Sequence, residues 1–228
     1  MCPFFVMLTV VGFTIGIVYH EILTPINRVI LNSLTNLGKI KKRDFMIKRL
    51  FVSGYRSYEL GIFSEDDDKL FFVKEFLKAS LSQYIQNGLE WVITSGQLGI
   101  ELWTTEIVEE LREAYPNLQL GLLLPYQEYG NSWNEKNQLL LQKAIEQADY
   151  MNYTSHEPYK HGGQLSGNAQ FILNNTDGLL LIYDNEYEGK SSYLYEQVKA
   201  HQETHDYLLD QVYMDDLQSF VADYQERN

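Results

Sequence analysis

The sequence predicts an α/β protein with a Rossmann-like, doubly wound and mostly parallel sheet that carries helices on both faces. Short apolar runs of strand length alternate with segments of helical periodicity over about 180 residues, as in folds of this class. Two of the runs end in glycine-containing turns, a usual exit of a parallel strand toward a helix. A third run, Gly178–Tyr183, is apolar throughout, which is typical of a central parallel strand.

The first half of the predicted domain contains two strands, each followed by a helix. Ile47–Ser53 is apolar enough for a buried strand. Ser64 precedes a run of acidic residues, so we expect it to cap a helix that ends at Asn87–Gly88. Trp91–Ser95 is a short apolar strand, and the helix predicted over Ile100–Tyr115 stops at a proline.

The second half continues the alternation. Leu118–Leu124 is an apolar strand that ends before a proline, and Glu135–Gln147 carries an apolar stripe at helical spacing. A short strand over Tyr150–Tyr153 and a polar loop over Ser155–Gly163 follow. The remaining predicted elements are a helix over Asn168–Asn174, the strand Gly178–Tyr183, a helix over Ser191–His201, a weaker strand over Tyr207–Tyr213 and a helix over Asp215–Gln225. No repeat or Pro-rich linker divides residues 46–228, so we expect one domain there.

Composition and charge exclude several classes of function. The 228 residues include 31 acidic and 18 basic side chains, for a formal charge of −13. A surface this acidic repels phosphate backbones, which disfavours DNA binding. With one cysteine, Cys2, and five histidines that lack zinc-ligand spacing, we expect no metal site. His201 and His205 are four positions apart and could share a helical face as metal ligands, but we interpret them as a solvated pair.

Residues 1–45 form an N-terminal extension with two interpretations. Cys2–Tyr19 is uncharged and mostly apolar, but it is at the short end for a membrane-spanning helix. No charged segment precedes this run and no small-residue cleavage site follows it, which argues against a secretory signal peptide. A misassigned start upstream of Met46 is favoured over a weak membrane anchor. Because basic residues follow the apolar run, a real anchor would leave everything downstream in the cytoplasm, and the domain over 46–228 is expected there under either interpretation.

The first candidate ligand site is the polar turn after the second predicted strand. Ser95, Gly96, Gln97 and Gly99 occupy this turn, and Glu101 begins the helix. Because the first N–H groups of a helix have no internal partner, such a turn can hold a phosphate or a carboxylate. No Lys-Ser/Thr pair follows the glycines, which argues against NTP hydrolysis by the P-loop route.

A second polar turn follows the first predicted strand and contains Gly54, Tyr55, Arg56 and Glu59. In a parallel sheet, the ends of these two strands converge on a crevice at the carboxyl edge, where ligands of open α/β folds bind. Arg56 could provide positive charge for a phosphate in this crevice, or it could be a solvated loop residue.

A third candidate follows the strand Gly178–Tyr183. Gly189 and Ser191 lie at the start of a predicted helix and could form another anion cup, to which Lys190 adds charge. A capped loop without a ligand explains the same residues.

Structural explanations also exist for the other candidates. The glycines could merely permit tight packing of strand and helix, and Glu101 could complement the helix dipole. As catalytic candidates, Glu101 and Glu59 could bind a ribose hydroxyl or act as a general base near a glycosidic carbon. Tyr126, Tyr129 and Trp133 could line a base or ligand pocket, although core packing also explains them.

Several motifs along the predicted domain can be compared with those of known families. The first motifs are Gly54-Tyr55-Arg56-Ser57-Tyr58-Glu59-Leu60-Gly61-Ile62-Phe63, Gly88-Leu89-Glu90-Trp91-Val92 and Ser95-Gly96-Gln97-Leu98-Gly99-Ile100-Glu101-Leu102-Trp103. The later ones are Ala148-Asp149-Tyr150, His156-Glu157-Pro158-Tyr159, Asp177-Gly178-Leu179-Leu180-Leu181 and Met214-Asp215-Asp216-Leu217. Together these motifs resemble the YpsA family of Firmicutes, and the resemblance covers Met46 to the C-terminus in order.

The YpsA family is placed in the SLOG superfamily, beside DprA and the LOG-type phosphoribohydrolases. The resemblance implies a Rossmann-like fold, a nucleotide-derived ligand such as ADP-ribose or NAD, and a link to cell division in Gram-positive bacteria. The family's first-loop glycine and glutamate correspond to Gly54 and Glu59. The Pro-Gly-Gly-x-Gly-Thr-x-x-Glu motif of LOG enzymes is replaced here by Ser95–Glu101, which argues against phosphoribohydrolase activity.

Three functional hypotheses follow. The first is a cytoplasmic regulator that binds a nucleotide-derived ligand, requires no cofactor and contacts cell-division proteins. The second is a hydrolase that cleaves the N-glycosidic bond of a nucleoside monophosphate or NAD-like molecule, with Glu59 or Glu101 as its carboxylate. The third is a DprA-like DNA binder, which the acidic charge disfavours. Homo-oligomerisation is compatible with all three.

Overall fold

The computed structural model describes residues 46–187 and 189–227. The extension over 1–45, with its interpretations as a misassigned start or a membrane anchor, lies outside the described residues. One compact unit extends through Leu217, and the rest of the last helix is not part of it. None of the helices in the two described ranges is both long and apolar enough to cross a bilayer.

Strands and helices alternate along the described residues. The strands are β1 (Arg49–Gly54), β2 (Trp91–Thr94), β3 (Gln119–Leu124), β4 (Tyr150–Tyr153), β5 (Gly178–Ile182) and β6 (Leu208–Val212). The helices are α1 (Asp68–Gln86), α2 (Ile100–Leu111), α3 (Glu135–Gln147), α4 (Gly163–Asn175), α5 (Ser192–Gln202) and α6 (Met214–Arg227). This alternation confirms the predicted α/β class.

The six strands form one parallel sheet in the order β4-β3-β2-β1-β5-β6. The chain steps outward from β1 to β4 and then returns to β5 on the other side of β1. Helix α2 packs against α1 and α3, whereas α4 packs against α5. Because right-handed connections that run in opposite directions lie on opposite faces of a sheet, both faces carry helices. The Rossmann-like, doubly wound fold is therefore confirmed.

The centre of the sheet is formed by β1 and β5. All five residues of β5 are buried, and in β1 only Arg49 is exposed. The two strands are in register along their length, so that Gly54 lies beside Ile182 where both strands end. The strand order reverses between them, which makes this the topological switch point, the usual place for a ligand in open α/β sheets.

Two predicted helix starts are wrong. Helix α1 is capped by Asp67, whose side chain accepts a hydrogen bond from the Lys69 N–H at 2.9 Å. Ser64 instead accepts a hydrogen bond from Asp66 in the preceding turn. Helix α4 begins at Gly163, five residues before the predicted start, because the glycine- and serine-rich first turn hides the helical periodicity.

The interpretation of His201 and His205 as a solvated pair is also wrong for His201, which is shielded from solvent. Their rings are stacked with centroids 4.0 Å apart, and His201 is buried. Tyr207 packs edge-on against His201 with centroids 5.1 Å apart. Burial lowers the pKa of His201, and the neighbouring His205 lowers it further.

Candidate functional site

The candidate site is built from loops at the carboxyl edge of the sheet. We call residues 55–63 the β1 loop, residues 95–99 the β2 loop, and residues 183–187 with 189–191 the β5 loop. The β1 and β5 loops leave the two strands that flank the topological switch point. The β2 loop lies beside the β1 loop because β2 pairs with β1. The sheet order thus brings together turns that are far apart in the sequence.

Glu101 is a buried carboxylate that connects three elements. One oxygen, Oε1, accepts a hydrogen bond from the Ser53 hydroxyl at 2.6 Å. The other, Oε2, accepts from the Ser95 N–H at 2.8 Å, the Ser95 hydroxyl at 2.6 Å and the Gln97 N–H at 3.1 Å. Glu101 is only 3% exposed. It therefore joins the end of β1 and the β2 loop to the first turn of α2.

These hydrogen bonds indicate a positioning role for Glu101. A buried carboxylate is stable only when hydrogen bonds or a counter-charge replace its lost hydration, and four donors do so here. Both oxygens are engaged, and Oε2 accepts three of the four hydrogen bonds, so the chain fixes the orientation of this carboxylate. The assignment of Glu101 as a general base stays a prediction.

Gly99 lies against the backbone of the β1 loop. Its φ of 99° is in the left-handed region, and a Cβ there would lie 2.6 Å from both the Tyr55 carbonyl oxygen and the Ser57 nitrogen. The Ile100 N–H donates to the Tyr55 carbonyl at 3.2 Å in the same contact. Glycine at position 99 therefore permits the close approach of the β1 and β2 loops.

Gly96 and Gly54 also permit close packing. A Cβ on Gly96, whose φ is 77°, would lie 2.7 Å from a methyl carbon of Leu124. A Cβ on Gly54 would lie 2.7 Å from the Ile182 carbonyl oxygen. The structural interpretation of these glycines thus has direct support.

Arg56 is the cationic group of the β1 loop. With the Gln97 amide oriented to satisfy its hydrogen bonds, the Gln97 oxygen accepts from Nη2 of Arg56 at 2.6 Å and from Nε at 2.7 Å. Nη1 donates to the Tyr58 hydroxyl at 3.2 Å. A guanidinium has five N–H donors, which leaves two of them without an acceptor among the described residues.

The half-buried Arg56 guanidinium also lacks an ion pair within the described part of the chain, where no carboxylate lies within 4 Å of it. Lys69, Lys190 and Lys199 also lack an ion pair among the described residues, but these three side chains are exposed, whereas Arg56 is half-buried. Burying part of a charge without a counter-charge costs free energy. A bound anion would remove that cost, and the two remaining N–H donors are suited to a phosphate or carboxylate.

Glu59 joins the β1 loop to the β5 loop. Its Oε2 accepts from the Arg56 N–H at 2.7 Å, and its Oε1 accepts from the Lys190 N–H at 2.7 Å. Gly189 lies next to this contact, since a Cβ there would be 3.3 Å from Oε1 of Glu59. Glu59 thus occupies two backbone donors at the switch point with its own carboxylate.

Tyr55 connects the same two loops through its buried hydroxyl group. It is 2% exposed, and its hydroxyl lies 2.7 Å from the Tyr187 carbonyl and 3.0 Å from the Asp184 carbonyl. The hydroxyl also accepts the Asp184 N–H at 3.1 Å. A Cβ on Gly189 would lie 2.7 Å from the Tyr55 ring. Burial raises the pKa of the Tyr55 hydroxyl, which therefore stays protonated as a donor.

Ser191, another predicted site residue, lies at the N-cap position of α5. Its side chain makes no capping hydrogen bond with the helix, and the residue is buried. The neighbouring Lys190 contributes its backbone N–H to Glu59. The anion cup at Gly189 and Ser191 stays a prediction, and the Lys190 N–H between them already donates to the Glu59 carboxylate.

Aromatic residues after β3 adjoin the β2 loop. Tyr126 contacts Tyr129 with ring centroids 5.2 Å apart and Tyr159 at 5.1 Å, and Tyr129 contacts Trp133 at 5.1 Å. Burial raises the pKa of Tyr129, the Glu101 charge raises it further, and the Arg56 charge lowers it. The Tyr129 hydroxyl therefore lies within the electrostatic reach of both groups.

Two residues near the site were not identified from the sequence. The Ser53 hydroxyl donates a hydrogen bond to Glu101. The sequence feature that could have indicated this role is a hydroxyl residue at the end of an otherwise apolar strand. Asn168 is buried in α4 and donates to the Leu123 carbonyl at 2.8 Å and the Thr154 hydroxyl at 3.1 Å. The sequence feature that could have indicated Asn168 is its residue type, because an asparagine inside a helix is expected to have a specific hydrogen-bond partner. Within the described ranges, no cluster of three potential metal ligands occurs.

Sequence comparisons identify the family. The model of the YspA SLOG family matches residues 50–217. A UPF0398 protein of Enterococcus faecalis is 49% identical over 178 residues, which cover 78% of this chain and 99% of the relative. UPF0398 proteins of Ligilactobacillus salivarius and Listeria innocua are 44% and 43% identical, over 78% of this chain and 98% and 97% of their own lengths. These matches confirm the resemblance in the sequence motifs, and the chain belongs to the YpsA family of SLOG proteins.

Proposed function

We propose that this protein binds a nucleotide or a nucleotide-derived ligand, such as ADP-ribose or NAD, at the carboxyl edge of its sheet. The observation that carries the proposal is the Arg56 guanidinium beside the topological switch point. Gln97 orients it, and no carboxylate of the described residues lies within 4 Å of it. Two of its N–H donors remain for a phosphate of the ligand.

The first turn of α2 supports an anion at the same place. The N–H groups of Leu98 and Gly99 have no acceptor among the residues that the structure describes. They lie at the N-terminal end of α2, where the helix dipole favours negative charge. A phosphate held by Arg56 could use these donors without displacing any hydrogen bond of Glu101.

The geometry of the carboxylates supports binding rather than turnover. Both oxygens of Glu101 and both oxygens of Glu59 accept hydrogen bonds from the chain. A general base must reach the proton that it abstracts. We therefore favour a cytoplasmic ligand-responsive regulator, linked to cell division as the YpsA resemblance implies, over a hydrolase of N-glycosidic bonds. The charge of −13 disfavours a DprA-like role on DNA.

Calorimetric titration with AMP, ADP-ribose and NAD tests this function, with chromatography of each mixture for released base. We expect binding without base release. Arg56→Gln should weaken binding by about 10- to 150-fold, since hydrogen bonds to a charged group contribute about 1.5–3 kcal/mol. Lys199→Gln is the matched control, because Lys199 is an exposed cation near the end of α5, far along the helix from the carboxyl edge.

Two outcomes would contradict the proposal. Clean release of base from any of these compounds would replace the regulator with the hydrolase. Equal binding by the parent protein and a folded Arg56→Gln variant would move the ligand away from Arg56.

A further inference from the structure

Four aromatic side chains form a continuous chain of ring contacts from the core to the surface. We call Tyr126, Tyr129, Trp133 and Tyr159 the aromatic shelf. Tyr129 is buried, Tyr126 is half-buried and Tyr159 is 55% exposed. The contact between Tyr126 and Tyr159 is tilted by 52°. Core packing accounts for Tyr129 but leaves the outer pair, Tyr126 and Tyr159, with accessible ring surface.

The shelf is held in place by the two segments that carry it. The Gln127 N–H donates to the Glu157 carbonyl at 3.1 Å, which joins the segment after β3 to the segment after β4. A Cβ on Gly130 would lie 3.4 Å from the Trp133 ring, so the backbone is packed closely against that ring. Asn168 holds the same region through the Leu123 carbonyl and the Thr154 hydroxyl. The outer rings are therefore presented by an ordered scaffold.

The shelf and the β2 loop share one packing partner, Leu141 of α3. A Cβ on Gly96 would lie 3.2 Å from Cδ1 of Leu141, and a Cβ on Gly130 would lie 2.5 Å from its Cδ2. Leu98 of the β2 loop and Tyr126 of the shelf pack against the same buried cluster. Since Gln97 of this loop binds the Arg56 guanidinium, the loop that orients Arg56 and the shelf pack on one buried cluster.

We propose that Tyr126 and Tyr159 form a stacking subsite for the base of a nucleoside phosphate whose phosphate binds Arg56. This inference rests on the proposed function and names the part of the ligand that the outer rings recognise. A flat base is chemically suited to an exposed tyrosine ring, and stacking on an aromatic side chain contributes about 1–3 kcal/mol per base. A base on the shelf and a phosphate at Arg56 would place the ribose across the β2 loop.

The proposal is tested with two probes that differ only in the base. AMP and ribose 5-phosphate are titrated into the full chain, and ADP-ribose serves as a larger base-containing probe. We expect AMP to bind about 5- to 150-fold more tightly than ribose 5-phosphate, which is the stacking range expressed as an affinity ratio. Tyr159→Ala should remove most of this ratio by weakening AMP binding, while the affinity for ribose 5-phosphate stays the same.

A matched control is Tyr150→Ala, which removes a 51% exposed tyrosine at the first residue of β4, away from the carboxyl edge and from the shelf. It should change neither affinity. If Tyr159→Ala fails to fold by circular dichroism, Tyr159→Leu provides the test, because leucine keeps apolar volume without a ring face.

The outcomes separate this inference from the proposed function. If the parent protein binds AMP and ribose 5-phosphate equally, or if a folded Tyr159 variant retains the parental ratio, the base subsite is overturned and the phosphate site at Arg56 stands. If the parent protein binds none of the three probes, the proposed function and this inference both fail. Selective loss of AMP in the Tyr159 variant, with loss of both AMP and ribose 5-phosphate in Arg56→Gln, supports both.

Discussion

The carboxylate of Glu59 accepts a hydrogen bond from the Lys190 N–H at 2.7 Å, across 131 positions of the chain. The second oxygen of Glu59 accepts from the Arg56 N–H within its own loop. One side chain thus connects the loops that follow β1 and β5, the two strands at the topological switch point. Together with the Tyr55 hydroxyl, it determines the spacing of these loops and hence the position of Arg56.

Glu59→Gln should destabilise the protein moderately. The amide keeps one carbonyl oxygen, so it can accept only one of the two N–H groups, and its NH₂ group would face a donor. We expect the free energy of unfolding to fall by about 1–2 kcal/mol, which is less than the full contribution of about 1.5–3 kcal/mol for hydrogen bonds to charged groups, because Glu59 is only half-buried. Urea unfolding measures the change. Glu186→Gln, an exposed change in the β5 loop, is the control, and equal losses in the two variants would contradict a specific role for Glu59.

Gly99→Ala should be clearly destabilising, and Gly99→Asp at least as much. Each added Cβ meets the backbone of the β1 loop at 2.6 Å and requires a φ of 99° that other residues rarely adopt. Backbone strain of this kind costs about 1–3 kcal/mol. A charged residue at this position therefore disturbs the loop as well as any anion, so Arg56→Gln is the cleaner test of the ligand site.

Gly167→Ala is the matched control for this prediction. Gly167 lies inside α4, and a Cβ there meets nothing within 4 Å. Alanine is favoured over glycine inside a helix by about 0.5–1 kcal/mol, so this variant should be slightly more stable than the parent. Thermal unfolding of the two variants should shift in opposite directions, and a destabilised Gly167→Ala would show that the comparison is not specific to position 99.

The fold could be predicted from the sequence because its main signals are local. The uninterrupted apolar run at 178–182 indicates a central parallel strand, and β5 is buried along its whole length. The bounds of α3 and β4 also agree with the prediction. The capping of α1 was less predictable, because Ser64 and Asp67 both satisfy the same local rule and only the structure selects Asp67.

The candidate site was less predictable, because its contacts depend on strand order. The glycines and polar residues of the β2 loop indicated a tight turn, but the sequence does not reveal that Gly99 faces the backbone of the β1 loop. Likewise, the partnership of Ser53 with Glu101 requires β1 and β2 to be neighbours in register. Sequence patterns identify which residues could bind a ligand, whereas the sheet topology determines which of them the chain uses for its own packing.

Glu101→Gln should destabilise the protein more than Glu59→Gln. Glu101 is almost fully buried, and four donors face its two oxygens. Glutamine replaces one carboxylate oxygen with an NH₂ group, which cannot accept hydrogen bonds from the donors that now face that oxygen. Each buried donor that is left without an acceptor costs about 1–3 kcal/mol. Urea unfolding should show this loss, whereas Glu113→Gln on an exposed site should show almost none.

The same variant separates the two roles of Glu101. If Glu101 only positions the β2 loop, Glu101→Gln should weaken AMP binding in parallel with the loss of stability. If it acts as a general base, the parent protein should release base from a nucleotide, and a folded Glu101→Gln variant should still bind but not release it. Absence of base release in the parent would remove the second role.

The last prediction concerns Asp210, a carboxyl group that none of the proposed functions uses. Its Oδ2 accepts a hydrogen bond from the Tyr84 hydroxyl of α1 at 2.6 Å. Burial raises the pKa of Asp210, the Tyr84 hydrogen bond lowers it, and the nearby Asp216 raises it. The net direction is upward, so the folded state holds this proton at pH values where the unfolded chain has released it.

Linkage then determines the sign of the pH dependence. The stability that Asp210 contributes is fully present below its unfolded pKa, about 3.9, and is lost as the pH rises through the higher folded pKa. Asp210→Asn keeps an oxygen that accepts the Tyr84 hydroxyl and removes the charge. We therefore expect the variant to equal or exceed the parent in stability at pH 7.5 and to lose its advantage toward pH 4. Urea unfolding across this range measures the difference, and a variant that is less stable at pH 7.5 but not at pH 4 would show that the charged carboxylate stabilises the fold.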